Sequence, residues 1–417
     1  MKRVGILGGG QLGMLLAESI FALGARVNVY DPDPEAPACQ HTKHVINHNW
    51  LDYDALSDFF QISDVITYEF ENVESAALIT LEHVKPIYPS VNVLRTCQDR
   101  VAEKQFLYSA GLPHAYFLVA DSVTELQKHA EKLDYPCIIK TARGGYDGKG
   151  QWLAKTREEF LKIVKDPSNK SFDTFSVVVE EMVDLDAEVS CIVARPLSGM
   201  PIAFPIFENI HKDHILDVTV LPARIPQSVQ DKIKSIAIQA AVKLDVVGLL
   251  TTEFFLSKSK SKNSFGIECD GWFIYINEFA PRPHNSGHIT RSATSVSQYD
   301  ALARILLGIP LQEPRPVSDG TYCMMNLLGD VWIDQGHDQY DSDLDLSCLN
   351  QHPQVIDVVL YGKREPRRKR KMGHFITHGS TPESAIEAAE AFKTALCRKP
   401  HLASNKTKSS KRTNSLN

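Results

Sequence analysis

Residues 137–153 constrain the fold more than any other stretch. An apolar run, Cys137-Ile138-Ile139-Lys140, leads into Gly144-Gly145-Tyr146-Asp147-Gly148-Lys149-Gly150, and a strand-like Gln151-Trp152-Leu153 follows. Two strands joined by so glycine-rich a loop make a flap whose backbone amides can close over a polyphosphate. Lys140, at the exit of the first strand, sets a point charge beside it. No G-K-[ST] opens a helix here, so this is not a Walker loop. A solvated hairpin is the bland alternative, and the rest of the chain has to decide.

A second glycine loop lies at the start. Val4-Gly5-Ile6-Leu7-Gly8 reads as a short buried strand, and Gly8 to Gly13 fits G-x-G-x-x-G before a helix running from Gln11 to about Leu23, stopped by Gly24. Val27 to Tyr30, Val65 to Tyr68 and Pro86 to Tyr88 read as further strands, so residues 1 to about 90 predict an open α/β layer. Asp31, after the second strand, stands where a ribose-binding acid would sit in a nicotinamide enzyme. The same glycines would serve any phosphate at a helix N-terminus, or simply a tight turn.

With 417 residues, two or three domains are expected. Asp99 caps a predicted helix with Ala102, Phe106 and Ala110 on one face, ended by Gly111 and Pro113, which links the first unit to the next. From about 115 to 310 strands at Cys137–Lys140, Val177–Glu181, Val189–Ala194, Leu249–Leu256 and Trp272–Asn277 predict an α+β unit. A last unit carries strands at Cys323–Leu328 and Val355–Tyr361 and a helix at Glu383–Leu396. Residues 398–417 hold six Lys or Arg and no acid, a disordered-tail composition. A net charge of −6 argues against a broad nucleic-acid surface. Eight scattered cysteines without a C-x-x-C pair read as reduced thiols in a cytoplasm. No signal-peptide core opens the chain, and no run of about 18 apolar residues is there to span a membrane.

Acids inside apolar strands are the next signal. Glu180 and Glu181 follow three valines, Glu253 lies within Leu249 to Leu256, and Glu278 follows Ile274-Tyr275-Ile276-Asn277. A carboxylate in such a run needs a partner to offset its desolvation; a hard divalent cation is one and an arginine is another. Pro281-Arg282-Pro283-His284-Asn285-Ser286-Gly287-His288 then crowds donors into a turn that could hold an anion beside that metal.

In this order the motifs resemble the ATP-grasp ligases, and more narrowly the 5-(carboxyamino)imidazole ribonucleotide synthases, over about residues 1 to 395. Gly8 to Gly13, Thr67-Tyr68-Glu69-Phe70-Glu71-Asn72, Gly144 to Gln151, Asn277-Glu278 and Pro281 to His288 carry the resemblance. It implies a Rossmann-like N-terminal domain (1–95), an ATP-grasp domain of two lobes (96–312, flexible lobe about 115–183), a small C-terminal domain (313–397) and the tail. It also implies ATP as co-substrate with Mg2+ or Mn2+, bicarbonate and 5-aminoimidazole ribonucleotide as further substrates, and a cytoplasmic homodimer.

By the same resemblance Arg100, Lys140, Gly145, Tyr146, Asp147, Gly148, Lys149, Gly150, Gln151, Glu180, Glu181, Met182, Val183, Glu188, His211, Asn277 and Glu278 contact the nucleotide. Glu253 and Glu278 hold the metal. Tyr146, Asp147 and Arg282 stand at the reacting centre, and Gln11, Leu12, Glu69, Glu71, His284, Asn285, Lys363 and Arg370 take the ribonucleotide. Three departures stand out: Met14 where the family commonly has arginine, an insertion around Lys258–Lys262 expected as a solvated hairpin tip, and Arg368-Lys369 where Pro-Gly is usual. The rivals are a formate-dependent glycinamide ribonucleotide formyltransferase of the same fold, a nicotinamide dehydrogenase, and a nucleic-acid binder using residues 363–371 and the tail.

Overall fold

A computed structural model of the chain describes residues 1–144, 150–166, 168, 169, 172, 176–336 and 343–397. The expected site residues Gly145, Tyr146, Asp147, Gly148 and Lys149, and the tail 398–417, lie outside the described residues.

The strands fall into three sheets taken in chain order. β1 (Arg3–Leu7), β2 (Arg26–Tyr30), β3 (Val45–Ile46) and β4 (Val65–Tyr68) form a parallel sheet in the order β3-β2-β1-β4. Helices cover such a sheet on both faces, which is why β1 and β2 read as nearly unbroken apolar runs. The helix Gln11–Ala22 buries Leu12, Met14, Leu15, Leu16 and Ile20 and ends before Gly24, whose φ of +73° only glycine adopts freely. The strand expected at 86–88 is absent; Ile87 makes one isolated bridge to Ile66, and the fourth strand is the two-residue β3 instead.

β5 (Phe117–Ala120), β6 (Cys137–Thr141), β7 (Gln151–Ala154) and β8 (Val177–Glu181) make a small antiparallel lobe in the order β5-β8-β6-β7. The two strands expected to flank the flap are thus β6 and β7, with Lys140 opposite Gln151.

The remaining strands share one antiparallel sheet: β9 (Ala187–Arg195), β10 (Ile202–Ala203), β11 (Phe207–Lys212), β12 (Ile215–Leu221), β13 (Gly248–Ser257), β14 (Ile267–Cys269), β15 (Trp272–Ala280), β16 (Thr321–Leu328), β17 (Val355–Leu360) and β18 (Lys371–Gly379). Their order is β14-β15-β13-β9-β11-β12-β16-β18-β17, with β10 beside β9. The C-terminal strands therefore continue the middle sheet through β12 and β16. The helix Gln227–Lys243 packs on one core of this sheet, and Gln298–Leu307 joins the other face to the helix Gln11–Ala22.

The linking helix, Arg100–Ser109, is capped by Asp99, whose carboxylate accepts from the Val101 and Ala102 amides. Ala102, Phe106 and Ala110 are partly buried, and its most buried residues are Glu103, Lys104 and Leu107. That inward charge is the first sign of where the site lies.

Candidate active site

One of those inward charges, Lys104, bridges the lobes. The Lys104 ammonium donates to the Asn277 carbonyl on β15 at 2.9 Å and lies 3.3 Å from Glu180 Oε2 on β8. Lys140, leaving β6, reaches the same Glu180 oxygen at 3.0 Å. Burial alone would raise the Glu180 carboxyl, but Lys104, Lys140 and Arg100 outweigh it and hold the group at about 2. Burial also pushes the Lys140 amine down, against the pull of Glu180. Glu180 Oε1 is buried and has no partner among the described residues.

β13 and β15 supply a pair of carboxylates. Their register sets Glu253 opposite Glu278 and then shifts, with Phe254 opposite Ile276, so Asn277 is the extra residue of a bulge. Without it Glu253 would face Asn277. The bulge gives two acids on neighbouring strands the same position along the sheet, and directly opposed side chains share a face. Each has a nitrogen partner: Arg100 Nη1 at 3.0 Å from Glu278, and His284 Nε2 at 2.9 Å from Glu253. Burial would raise Glu278, yet Arg100 and Lys140 keep it below the usual carboxylate range.

The turn after β15 brings its donors inward. Arg282 pairs bidentately with Glu71, both contacts at 3.0 Å. Asn285 is buried, and neither its Oδ1 nor its Nδ2 has a partner among the described residues. A buried amide left so is costly, which marks a place where a ligand would be bonded.

The first glycine loop has a different use from the one its pattern suggests. The Gly9 amide donates to Asp31 Oδ2 and the Gly10 amide to Glu69 Oε1, both at 2.7 Å. A Cβ on Gly10 would lie 2.7 Å from that Glu69 oxygen, and one on Gly8 2.8 Å from Glu69 Cγ. The glycines make room for Glu69, whose carboxylate takes the amide a pyrophosphate would need. At the same helix start, the Lys363 ammonium donates to Gln11 Oε1 at 2.8 Å and to the Lys371 carbonyl at 2.9 Å. Burial, with Arg370 beside it, pushes the Lys363 amine down to about 8 against the attraction of Glu69. Arg370 donates to the Glu365 carbonyl at 2.8 Å, and Leu12 is buried in the helix.

Other expected residues line the same cleft. Glu188 on β9 and His211 on β11 lie 2.9 Å apart. Glu181 ends β8 and Val183 is buried after it, whereas Met182 is exposed; Gly150 and Gln151 close the far side of the flap. The insertion is more than a solvated tip: Lys262 and Asn263 bond Asp134 of the small lobe at 3.0 and 2.7 Å, and the Ser264 hydroxyl donates to Glu181 at 2.6 Å. Sequence reading missed Lys104. The available signal was its i,i+4 spacing from Arg100, which puts both on one helix face.

Comparison with known proteins gives three family matches: residues 1–98 to the ribonucleotide synthetase preATP-grasp domain, 105–299 to the ATP-grasp domain and 323–388 to the phosphoribosylaminoimidazole carboxylase C-terminal domain. The chain is 34% identical over 383 residues to the N5-carboxyaminoimidazole ribonucleotide synthase of Bacillus subtilis, covering 91% of this chain and 92% of that one. It is 36% identical over 372 residues to the protein of that name from Staphylococcus epidermidis, covering 89% and 91%. Among solved structures, N5-carboxyaminoimidazole synthetase from Staphylococcus aureus complexed with ADP superposes with a TM-score of 0.81 at 33% identity, covering 94% of this chain and 97% of that one. The Aspergillus clavatus synthase in complex with ADP and 5-aminoimidazole ribonucleotide gives 0.79 at 26% identity, covering 95% and 98%.

Proposed function

The chain belongs to the N5-carboxyaminoimidazole ribonucleotide synthases, ATP-grasp ligases, and from that premise we infer that it uses ATP to carboxylate 5-aminoimidazole ribonucleotide in purine biosynthesis. The carbon source we assign is bicarbonate: its oxygen takes the γ-phosphoryl group of ATP, giving carboxyphosphate and ADP, and the exocyclic amine captures the carboxyl group as phosphate leaves.

The observation that carries this reading is the Glu253–Glu278 pair set beside the Lys104–Glu180–Lys140 cluster. Magnesium or manganese would fit such a pair, because a hard cation takes one or two carboxylates and leaves its other positions to substrate and water. When bound, it would supply charge neutralisation at the transferring phosphoryl group. The chain's own groups do the rest. Arg100 pairs with Glu278 and His284 Nε2 faces Glu253; on this reading Glu253 and Glu278 would hold the metal, and Arg100 and Lys140 would bind the phosphates. We assign Arg282 to steadying the anhydride and Gln11, Asn285, Lys363 and Arg370 to the ribonucleotide.

A cytoplasmic homodimer is the working state we propose. All eight cysteines are free, which supports a reducing compartment, and no described helix is long and apolar enough to cross a membrane. Phosphate release from ATP tests the function: it should require both bicarbonate and 5-aminoimidazole ribonucleotide. Turnover with formate and glycinamide ribonucleotide instead would overturn the assignment.

A further inference from the structure

Behind His284 runs a buried chain of polar side chains that the reaction itself does not use. Asn209 on β11 faces Thr219 on β12 in register, and the Thr219 hydroxyl donates to Asn209 Oδ1 at 3.3 Å. Asn209 Nδ2 donates to the Ser190 hydroxyl on β9 at 2.8 Å. Ser190 Oγ lies 2.9 Å from Ser286 Oγ, and Ser286 Oγ lies 2.9 Å from His284 Nδ1. Thr219, Ser190 and Ser286 have no exposed surface and Asn209 is 6% exposed, so each hydrogen must find its acceptor within the chain.

We propose that Asn209, Ser190 and Ser286 are positioning residues that fix His284 as the tautomer protonated on Nε2 and aim that proton at Glu253. The bond count runs one way. Ser190 accepts from Asn209, and Ser286 is the other polar side chain it meets among the described residues, so its own hydrogen goes to Ser286. Ser286 then has its hydrogen free for His284 Nδ1, which makes Nδ1 an acceptor. The Ser286 backbone N–H also points at Nδ1, at 3.4 Å, where a second N–H would repel it. At the other end a carboxylate only accepts, so the 2.9 Å contact from His284 Nε2 to Glu253 Oε1 needs a proton on Nε2. Both ends of the chain demand the same direction.

The backbone of His284 is held as firmly. Its amide donates to Gln298 Oε1 and its carbonyl accepts from Gln298 Nε2, both at 2.8 Å. With ring plane and tautomer both set, Glu253 Oε1 is committed to the imidazole and Oε2 is the oxygen left for the cation. That last consequence rests on Glu253 being a metal ligand; the tautomer does not.

Long-range 15N–1H spectra of the full-length protein labelled at histidine nitrogen read the tautomer directly, with His284 assigned through a His284→Gln variant. At neutral pH the wild-type ring should show a bare Nδ1 and a protonated Nε2. Ser286→Ala, which removes the hydroxyl donor to Nδ1, should show exchange between the two tautomers and a kcat about tenfold lower, with the KM values for ATP and the ribonucleotide within about twofold. A wild-type ring protonated on Nδ1 alone, or on both nitrogens, overturns the proposal whatever the variant does. So does a Ser286→Ala protein that keeps a single Nε2–H tautomer and full kcat. Failure of the carboxylation assay would instead strike the proposed function and leave the tautomer result standing.

Discussion

The two anion-facing corners of this site are built on opposite plans. In the cleft between the lobes, charges sit on strands and on the first two turns of a helix, and they are out of water: the Lys104, Lys140 and Glu180 side chains are 0%, 5% and 4% exposed. At the corner where the first and last units meet, Gln11, Glu71, Arg282 and Lys363 come from element ends and turns, and the Arg282–Glu71 pair is 19% and 33% exposed. A buried charge network is rigid and poised, but its members are held in place by one another, so losing one damages the fold. A wetter corner can change its partners at little cost in stability and acts mainly on affinity.

The largest expected effect lies where the cleft meets the Glu253–Glu278 pair. If Glu253 and Glu278 hold the metal as proposed, Glu253→Gln or Glu278→Gln would replace a hard anionic ligand with a neutral amide, and kcat should fall about a hundredfold or more with the fold retained. Near-normal turnover of both variants at saturating magnesium would remove the metal assignment and, with it, the reason for the bulge at Asn277.

Next is a stability contrast. Lys104→Met takes its donor from the Asn277 carbonyl and one of two lysines from Glu180, and should lower folding stability by about 3 kcal/mol. Glu71→Gln, at the wetter corner, should cost no more than about 1 kcal/mol. Urea melts of the two variants side by side decide it, and equal losses would erase the distinction between the corners.

The same contrast explains what the sequence made legible. Glu180, Glu253 and Glu278 were visible because an acid in an apolar strand is anomalous on its face, and β6, β8, β13 and β15 formed where that pattern placed them. Lys104 was hidden: lysine on a helix usually faces water, and only the partners brought by β8 and β15 turn it inward. β18 was hidden too, since Gly373, His374 and Thr377 interrupt its apolar run, yet His374 and Thr377 are fully buried. Gln11 and Lys363 stand 352 positions apart, and no local pattern could join them; the resemblance to a family did. The glycine loop was legible as a loop but not in its purpose, because Glu69, the carboxylate that fills it, arrives from the end of another strand.

At the wetter corner the effect should be on affinity alone. A charged hydrogen bond to phosphate contributes about 1.5–3 kcal/mol, so Arg370→Ala should raise the ribonucleotide KM about ten- to a hundredfold and leave the ATP KM nearly unchanged. An unaltered ribonucleotide KM would mean that the phosphate is held elsewhere.

The smallest effect is the most diagnostic, because its two consequences have opposite signs. Lys363 has its amine near 8 rather than 10.5, burial being the larger cause and Arg370 the next. The protonated form attracts phosphate, so as pH rises from 7 to 9 the protonated fraction should fall from about nine-tenths to about one-tenth, and the ribonucleotide KM should rise up to about tenfold. Stability moves the other way. Between about 8 and 10.5 the unfolded chain holds a proton on this lysine that the folded chain has released, and linkage then makes unfolding harder as pH rises. Lys363→Arg keeps the charge throughout this range and should flatten the KM profile. An affinity that weakens while the fold strengthens, both changes vanishing in the arginine variant, would assign them to this amine; a KM drift that persists in the variant would belong to another group.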